Sequence, residues 1–492
     1  MTETAKKKRG MPSSFTILLA LLAIVAVITV IVSGTSGGAV TAARLSDFCT
    51  APIKGFADAL PVCLFVMILG GFLGMMTETG ALDNGIAVLV QKLKGNEIML
   101  IPVLMLIFSL GGTTYGMCEE TVPFYALLAA TMMAAGFDPM VGAATVLLGA
   151  GCGCLGSTVN PFAVGAAVDA LTGVDIAVNQ SIIIGLGAVL WIVTTAMSIV
   201  FVMNYAKKVK ADKGSTILSM QELKDAEEAH GKAASEVHKD VKLTPRKKGV
   251  LVAFAFTFVV MIVGFIPLAD LNEGVANFFD AGAVYDADGN AVVQGWSALI
   301  TGLPIGQWYF DEASTWFFLM AILIGIIGGL SEKQIVNTFI TGAADMMSVV
   351  LVIALARGIS VLMANTGLDV FVLDAAANAL AGLSGVIFAP MSFLVYFGLS
   401  FLIPSTSGMA TVSMPIMGPL AVKLGFSPEV MVMIFSAAIG VVNLFTPTSG
   451  AIMGGLALAK IEWTTWLKFA LKLIVALSVV CAVILTVACV LL

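Results

Sequence analysis

Side chains able to hold a small charged molecule are sparse in this chain, and they gather in four short clusters inside otherwise apolar sequence. In the first half these are Leu110-Gly-Gly-Thr-Thr-Tyr-Gly-Met-Cys-Glu-Glu-Thr-Val-Pro123 and Gly149-Ala-Gly-Cys-Gly-Cys-Leu-Gly-Ser-Thr-Val-Asn-Pro161. In the second they are Ile403-Pro-Ser-Thr-Ser-Gly-Met-Ala-Thr-Val-Ser-Met-Pro415 and Asn443-Leu-Phe-Thr-Pro-Thr-Ser-Gly450. The candidate binding residues are Thr113, Thr114, Gly116, Glu119, Glu120, Ser157, Thr158 and Asn160, then Ser405, Thr406, Ser407, Gly408, Asn443, Thr446, Thr448 and Ser449. At a broken helix, N–H groups of a half-helix N-terminus suit the anionic part of a solute, while freed carbonyls and Ser, Thr or Asn oxygens suit a cation. Thr114, Asn160, Thr406 and Asn443 are the candidate sodium ligands on that ground. This is binding chemistry, with no bond broken. A single Gly or Ser in such a stretch also serves close helix packing, so the binding reading rests on the clusters as wholes.

Three charges add to the clusters. A carboxylate in the middle of a bilayer costs about 2.5–3.5 kcal/mol on insertion scales, which makes Glu119 and Glu120 functional candidates. At an offset of 292 their counterparts in the second half, Thr411 and Val412, are uncharged. The acidic pair therefore suits a substrate amine, a coupling proton or a sodium ion, the alternative being a half-helix cap or a side chain reaching to water. Arg357 lies within the apolar run Val349–Met363, where a guanidinium is expected to be paired or to line an aqueous path. It is a candidate clamp for a substrate carboxylate, or a partner for an acid such as Asp345 or Asp169. Lys92, Lys94, Lys423, Lys460, Lys468 and Lys472 read as interfacial anchors.

The elements that must position these residues are membrane helices. Of 492 residues 59% are hydrophobic and 11% charged, and the mean hydropathy is +1.02, which leaves too little charge for a water-facing surface. Apolar stretches recur at 15–33, 58–76, 182–205, 248–268, 314–330, 347–364, 386–403 and 468–491, each near the roughly 20 residues that cross a bilayer. The first follows Lys6-Lys7-Lys8-Arg9 and is long, without a small-residue cleavage site before Arg44, so it reads as a retained helix after a cytoplasmic tail, 1–14.

Eleven Lys and Arg residues lie between Lys207 and Lys248, whereas 269–313 has none but carries Asp270, Glu273, Asp280, Asp286, Asp288, Asp311 and Glu312. The positive-inside rule assigns the first to the cytoplasm and the second to an outer loop. The expected organisation is a first transmembrane half at 15–205, a cytoplasmic linker at 206–248 that reads as a solvated tether, and a second half at 249–492. On this orientation the chain is a multi-pass protein of the cytoplasmic (inner) membrane with its N-terminus inside, and helix 58–76 runs opposite to 347–364.

The halves repeat one another. Gly71, Met76, Thr79 and Gly80 match Gly358, Met363, Thr366 and Gly367 at an offset of 287. Thr114-Tyr-Gly116-Met117 with Pro123 matches Thr406-Ser-Gly408-Met409 with Pro415 at 292. Gly136-Phe-Asp-Pro139 pairs with Gly425-Phe-Ser-Pro428, and Asn160-Pro161 with Thr446-Pro447. Repeats at about 58–170 and 347–460, in one order and in opposite predicted direction, describe an all-α polytopic membrane protein of two inverted-topology repeats, an arrangement typical of secondary transporters. In each repeat the first polar cluster reads as the tip of a re-entrant helical hairpin and the second as the break of a discontinuous helix. Irregular backbone at that depth must line a wet cavity or be buried in protein, so the four clusters imply one shared polar cavity.

Other classes fit less well. The seven cysteines mostly lie in apolar segments, and His230 and His238 fall in one polar loop, so no metal set is visible and no nucleophile stands near a histidine. Cys152-Gly-Cys154 suits close helix packing better than a soft metal. A channel is usually assembled from uninterrupted pore helices or several short subunits. The basic linker is interleaved with acids and lacks stacking aromatics, which argues against nucleic acid.

The motifs Gly-Gly-Thr-Thr-Tyr-Gly-Met-Cys-Glu-Glu-Thr-Val-Pro-Phe-Tyr125, Leu-Gly-Ala-Gly-Cys-Gly-Cys-Leu-Gly-Ser-Thr-Val-Asn-Pro-Phe162 and Pro-Ser-Thr-Ser-Gly-Met-Ala-Thr-Val-Ser-Met-Pro415 resemble those of the YfcC family, which sits with the DcuC-type anaerobic C4-dicarboxylate carriers of the ion transporter superfamily. The resemblance spans nearly the whole chain. Cys118, Cys152 and Cys154 stand where relatives more often carry other small residues. The family implies a scaffold-and-transport arrangement similar to divalent anion/sodium symporters, often a homodimer, with an elevator-like motion of the hairpin-bearing part. It implies no cofactor beyond a coupling sodium ion or proton, and leaves the solute between a dicarboxylate and an amino acid of the arginine/ornithine type. Glu119 and Glu120 with Arg357 tilt the expectation towards an amino acid, whose amine and carboxylate need opposite partners.

Overall fold

The computed structural model describes residues 14–81, 84–85, 88, 96–236, 243–266, 268–271, 273–286 and 291–492. The basic tail Lys6–Arg9, Lys92, Lys94, His238 and Asp288 lie outside the described residues. Among the described residues nine helices are long and apolar enough to cross a membrane. Eight match the expected apolar stretches. The ninth, Glu97–Tyr115, is the first arm of the expected hairpin, and at 19 residues it is long enough to cross by itself.

In chain order the helices are α1 (Ser14–Ser33), α2 (Leu45–Asp58), α3 (Leu60–Glu78), α4 (Leu100–Tyr115), α5 (Val122–Ala134), α6 (Pro139–Leu155), α7 (Ala166–Thr172), α8 (Gln180–Ala211), α9 (Met220–Glu236) and α10 (Pro245–Phe265). The second half continues with α11 (Phe310–Gly328), α12 (Glu332–Asp345), α13 (Met347–Thr366), α14 (Leu368–Leu380), α15 (Gly385–Leu402), α16 (Thr406–Lys423), α17 (Pro428–Val442), α18 (Gly450–Leu458) and α19 (Trp463–Leu491). Between α10 and α11, Val284–Tyr285 and Ala291–Val293 form a short antiparallel ribbon in the otherwise helical chain.

Outward faces are apolar. On α19, Leu471, Val475, Val479, Val483 and Val487 recur every four residues and are each more than half exposed, while Leu473, Leu477, Cys481 and Leu485 are buried. Four-residue spacing keeps side chains on one side of a helix, so α19 turns one apolar face to the protein and another outward, the pattern of a helix whose outer solvent is lipid.

The halves interlock through glycines. On α2, Gly55 faces Gly358 of α13, and a Cβ on Gly55 would stand 2.7 Å from the Gly358 Cα. On α12, Gly342 faces Gly70 and Gly71 of α3, and a Cβ on Gly342 would stand 3.1 Å from the Gly71 Cα. Gly55 and Gly342 are 287 residues apart, as are Gly71 and Gly358. Each contact is thus the other with the halves exchanged. Phe65 and Phe72 of α3 pack on Phe317 of α11 beside this seam, with ring centroids 5.7 and 4.9 Å apart.

Each half then holds a helix–tip–helix hairpin, α4–α5 and α15–α16, packed on a helix that breaks, α6 and α17. The second arms end alike. The Gly136 N–H donates to Met133 O and Phe137 N–H to Met132 O, while Gly425 donates to Val422 O and Phe426 to Ala421 O. Both glycines are left-handed, with φ of 86° and 81°, in a Schellman stop. Asp138 and Ser427 next cap α6 and α17 by accepting the N–H of Val141 and Val430, and a proline opens each helix. The offset of 292 does not carry over in this way: Thr114 and Tyr115 end a helix, whereas Thr406 to Met409 begin one. Aligned at 287, the first tip at Gly116 meets the second at Ile403, and the counterparts of Glu119 and Glu120 become Thr406 and Ser407 instead of Thr411 and Val412.

The linker is more than a solvated tether. Asp138 Oδ2 accepts both the Tyr205 and the Thr216 hydroxyl at 2.6 Å, which folds the chain after α8 back onto the α6 cap. Helix α9 lies on α5 with Ala226 buried. Glu222 accepts the N–H of Glu462 at 2.9 Å and of Ser219 at 2.8 Å, and His230 Nε2 is 3.0 Å from Leu458 O. Burial works to raise the Glu222 carboxyl, but these donors outweigh it and hold it below its ordinary value. Burial, with Lys460 adding to it, holds the His230 imidazole below its ordinary 6.5.

Candidate functional site

Both tips and both breaks open on one cavity of about 180 Å³. Its wall takes Gly116 and Cys118 to Thr121 from the first tip, Pro404 to Ser407 from the second, Asn160 from the first break, and Asn443, Thr448 and Ser449 from the second. Arg357 of α13 and Ser436 of α17 add to the polar lining, with Tyr125, Phe162 and Phe310 as aromatic wall.

The first tip forms because α4 stops at Gly116 with φ 79°, a left-handed turn in which a side chain would also collide with the Asn160 carboxamide. The chain then doubles back through a 3-10 turn, Glu119–Thr121, whose first N–H groups are partly satisfied locally. The Cys118 N–H donates to Glu120 Oε2 at 2.9 Å, which ties that carboxylate into the turn and leaves Glu120 buried. Glu119, one residue earlier, lines the cavity.

Asn160 builds the first break. Its Oδ1 accepts the N–H of Phe162 at 2.9 Å and of Ala163 at 3.3 Å, and its Nδ2 donates to Ser157 Oγ at 3.0 Å. Thr113 and Thr158 staple the hairpin to this break: the Thr113 hydroxyl donates to Gly156 O at 2.6 Å and the Thr158 hydroxyl to Thr113 O at 3.0 Å. In the second half, Ser405 caps α16 by accepting the Gly408 N–H at 3.1 Å, and the Thr446 and Thr448 hydroxyls are paired at 2.7 Å.

Not every predicted residue reaches the cavity. Thr113, Ser157, Thr158 and Thr446 are committed to the hydrogen bonds that shape the breaks, and Gly408 lies behind Ser405. The Thr114 hydroxyl donates to Leu110 O in its own helix at 2.7 Å and is not part of the cavity wall, so of the four expected sodium ligands Asn160, Thr406 and Asn443 line it and Thr114 does not.

Arg357 pairs with Asp58, not with Asp345 or Asp169: Nε lies 2.9 Å from Asp58 Oδ2. The glycine seam brings this about, since Arg357 precedes Gly358 and Asp58 stands one turn beyond Gly55. Sequence reasoning missed Asp58 because it sits at the edge of an apolar run, where a carboxylate reads as a helix end. It also missed Phe162 and Phe310, stacked at 5.3 Å; Phe162 had a signal, following Asn160-Pro161 directly. The two cysteines of Cys152-Gly-Cys154 part company. Cys152 Sγ is 3.0 Å from Ser198 Oγ on α8, and Cys154 Sγ donates to Met117 O at the first tip. Among the described residues no cluster of three metal-ligating side chains forms.

Spanning helices around a cavity made by two hairpins and two broken helices define the class as a multi-pass membrane transporter. Residues 39–490 match the model of the C4-dicarboxylate anaerobic carriers, DcuC, and the chain belongs to that family. An uncharacterized protein of Haemophilus influenzae is 28% identical over 445 residues, which cover 90% of this chain and 78% of that protein. The Escherichia coli protein called putative basic amino acid antiporter YfcC is 28% identical over 440 residues, 87% of this chain and 77% of that protein. Among solved structures, Neisseria gonorrhoeae MtrF, from a class described as antimetabolite efflux pumps, aligns over 98% of this chain and 96% of its own at 17% identity and a TM-score of 0.45. The Alcanivorax borkumensis YdaH transporter aligns over 96% and 97% at 16% identity and a TM-score of 0.47.

Proposed function

We propose that this protein is a secondary active transporter that moves a small charged amino acid across the cytoplasmic membrane by alternating access, in exchange of the arginine/ornithine type. The observation that carries the reading is the charge arrangement of the cavity. Glu119, Glu120 and Arg357 share the cavity wall, so a solute with an amine and a carboxylate has groups of opposite type there to meet each. The name of the Escherichia coli relative, putative basic amino acid antiporter, supports the same reading. Thr406 and Asn443 line the cavity as candidate ligands for a coupling sodium ion, Asn160 Oδ1 being taken by the N–H groups of Phe162 and Ala163, and the acidic pair is an alternative seat for a proton.

The exchanged glycine contacts, together with the basic linker and the acidic outer segment, support two inverted halves with the N-terminus and linker inside. The hairpins are then re-entrant and form the moving part, and the chain works as a homodimer as the family resemblance implies.

A second reading, a C4-dicarboxylate carrier coupled to sodium or protons, is favoured by Arg357 standing close to the first turn of α16, a site for a carboxylate. Proteoliposomes preloaded with arginine, ornithine or succinate separate the two. Exchange of labelled basic amino acids alone supports the first reading. Exchange of succinate alone overturns it in favour of the second, and no exchange of any of the three overturns both.

A further inference from the structure

We propose that Asp58, which stands behind the cavity wall, selects the charge of the solute by holding and partly cancelling Arg357. The inference rests on the functional reading above and deepens it.

The guanidinium of Arg357 is held along one edge: its Nε meets Asp58 Oδ2 at 2.9 Å. Its Nη1 lies 4.0 Å from where a Cβ on Gly408 would stand, which sets that nitrogen beside the first turn of α16, and Arg357 itself lines the cavity. A planar guanidinium offers donors on more than one edge, so Asp58 and a solute carboxylate bind it together without competing. Asp58 therefore orients the group and leaves its outer edge to the solute. The backbone locks the arrangement, because α2 and α13 touch at Gly55 and Gly358, next to both residues.

Asp58 also sets the charge balance. The acidic and basic side chains on the cavity wall are Glu119, Glu120 and Arg357, two acids against one guanidinium. With Asp58 behind Arg357, the positive end is largely neutralised and the cavity as a whole favours a cation. Without Asp58, the guanidinium is both uncancelled and free to turn towards the cavity, which favours a second carboxylate on the solute over an extra amine. Asp58 is half exposed and makes no part of the wall, so its effect is transmitted through Arg357 and not by touching the solute.

The test is equilibrium binding to the purified full-length protein in lipid nanodiscs, with labelled arginine and labelled succinate as probes. The readout is the ratio of the succinate Kd to the arginine Kd. In Asp58→Asn this ratio falls by about tenfold, the effect of one charge at that range in a partly wet cavity. Asp58→Glu, which keeps the charge, restores it. An unchanged ratio in Asp58→Asn overturns the proposal, as does an equal weakening of both probes, the result a merely structural role predicts. If Asp58→Asn yields no folded protein, Arg357→Gln and Arg357→Gln with Asp58→Asn carry the test. Because Asp58 acts through Arg357, removing it in that background must leave the ratio unchanged, and a ratio that still falls overturns the idea. Wild-type protein that binds neither probe overturns the functional reading and this inference with it. A wild type that binds arginine, with a ratio insensitive to Asp58, overturns the inference alone.

Discussion

Gly55 and Gly358 meet backbone to backbone where α2 crosses α13, and the same contact recurs between Gly342 and Gly71 with the halves exchanged. At this seam the repeat in the sequence becomes a contact in space, and it carries Asp58 and Arg357 on its flank.

A side chain at this seam has no flexible neighbour to displace. Gly358→Leu is expected to lower thermal stability by the equivalent of about 3 kcal/mol or to prevent folding, at or above the upper end of ordinary overpacking. Gly342→Leu should do the same from the other half. Melting followed by size-exclusion chromatography in detergent checks both, and a seam that tolerates either leucine without loss would contradict the packing described.

Glu119→Gln with Glu120→Gln keeps the acceptor for the Cys118 N–H while removing both acids. The double variant should remain folded and membrane-inserted yet lose exchange of a cationic solute by at least about tenfold. Unchanged uptake would remove the acidic pair from the site.

Asn160 holds the first break with three hydrogen bonds, two of them to N–H groups that open the following half-helix. Asn160→Ala should cost about 1–2 kcal/mol, as the loss of a strong helix cap does, and abolish transport because the cavity wall collapses. Gly116→Ala should mimic it through left-handed backbone strain and collision with the same carboxamide. Melting temperature and exchange rate, measured on both variants, give the comparison.

Docking of α9 should depend on pH. His230 is buried against Leu458 O with its proton affinity depressed, so the docked state binds fewer protons than the undocked one. The imidazole's contribution to docking is complete above about pH 6.5, its undocked value, and is lost as pH falls through the lower docked value. Hydrogen exchange of residues 220–236 should accelerate between pH 7 and pH 5.5 in wild type, and His230→Gln should flatten that dependence.

Much was legible in the sequence because membrane proteins obey strict local rules. A run of about 20 apolar residues spans, a Gly-Pro-hydroxyl cluster inside such runs breaks a helix, and a broken helix in lipid must face a cavity. Those rules sufficed to name Glu119, Asn160, Thr406 and Asn443 as cavity residues, and to pair Gly136-Phe-Asp-Pro139 with Gly425-Phe-Ser-Pro428, which fold into the same stop-and-cap. They also marked Arg357 as a residue that needs a partner.

They could not say which partner, nor that Thr114 turns into its own helix, nor that α9 docks on α5. Each depends on which helix faces come together across several hundred residues. The sequence by itself determined the class of protein, its spans, its breaks and the types of residue in its cavity, because burial and backbone satisfaction in lipid act on short segments. The tertiary structure alone decided that Arg357 answers to Asp58, because that pairing follows from the close crossing of two glycine-bearing helices 303 residues apart at Gly55 and Gly358.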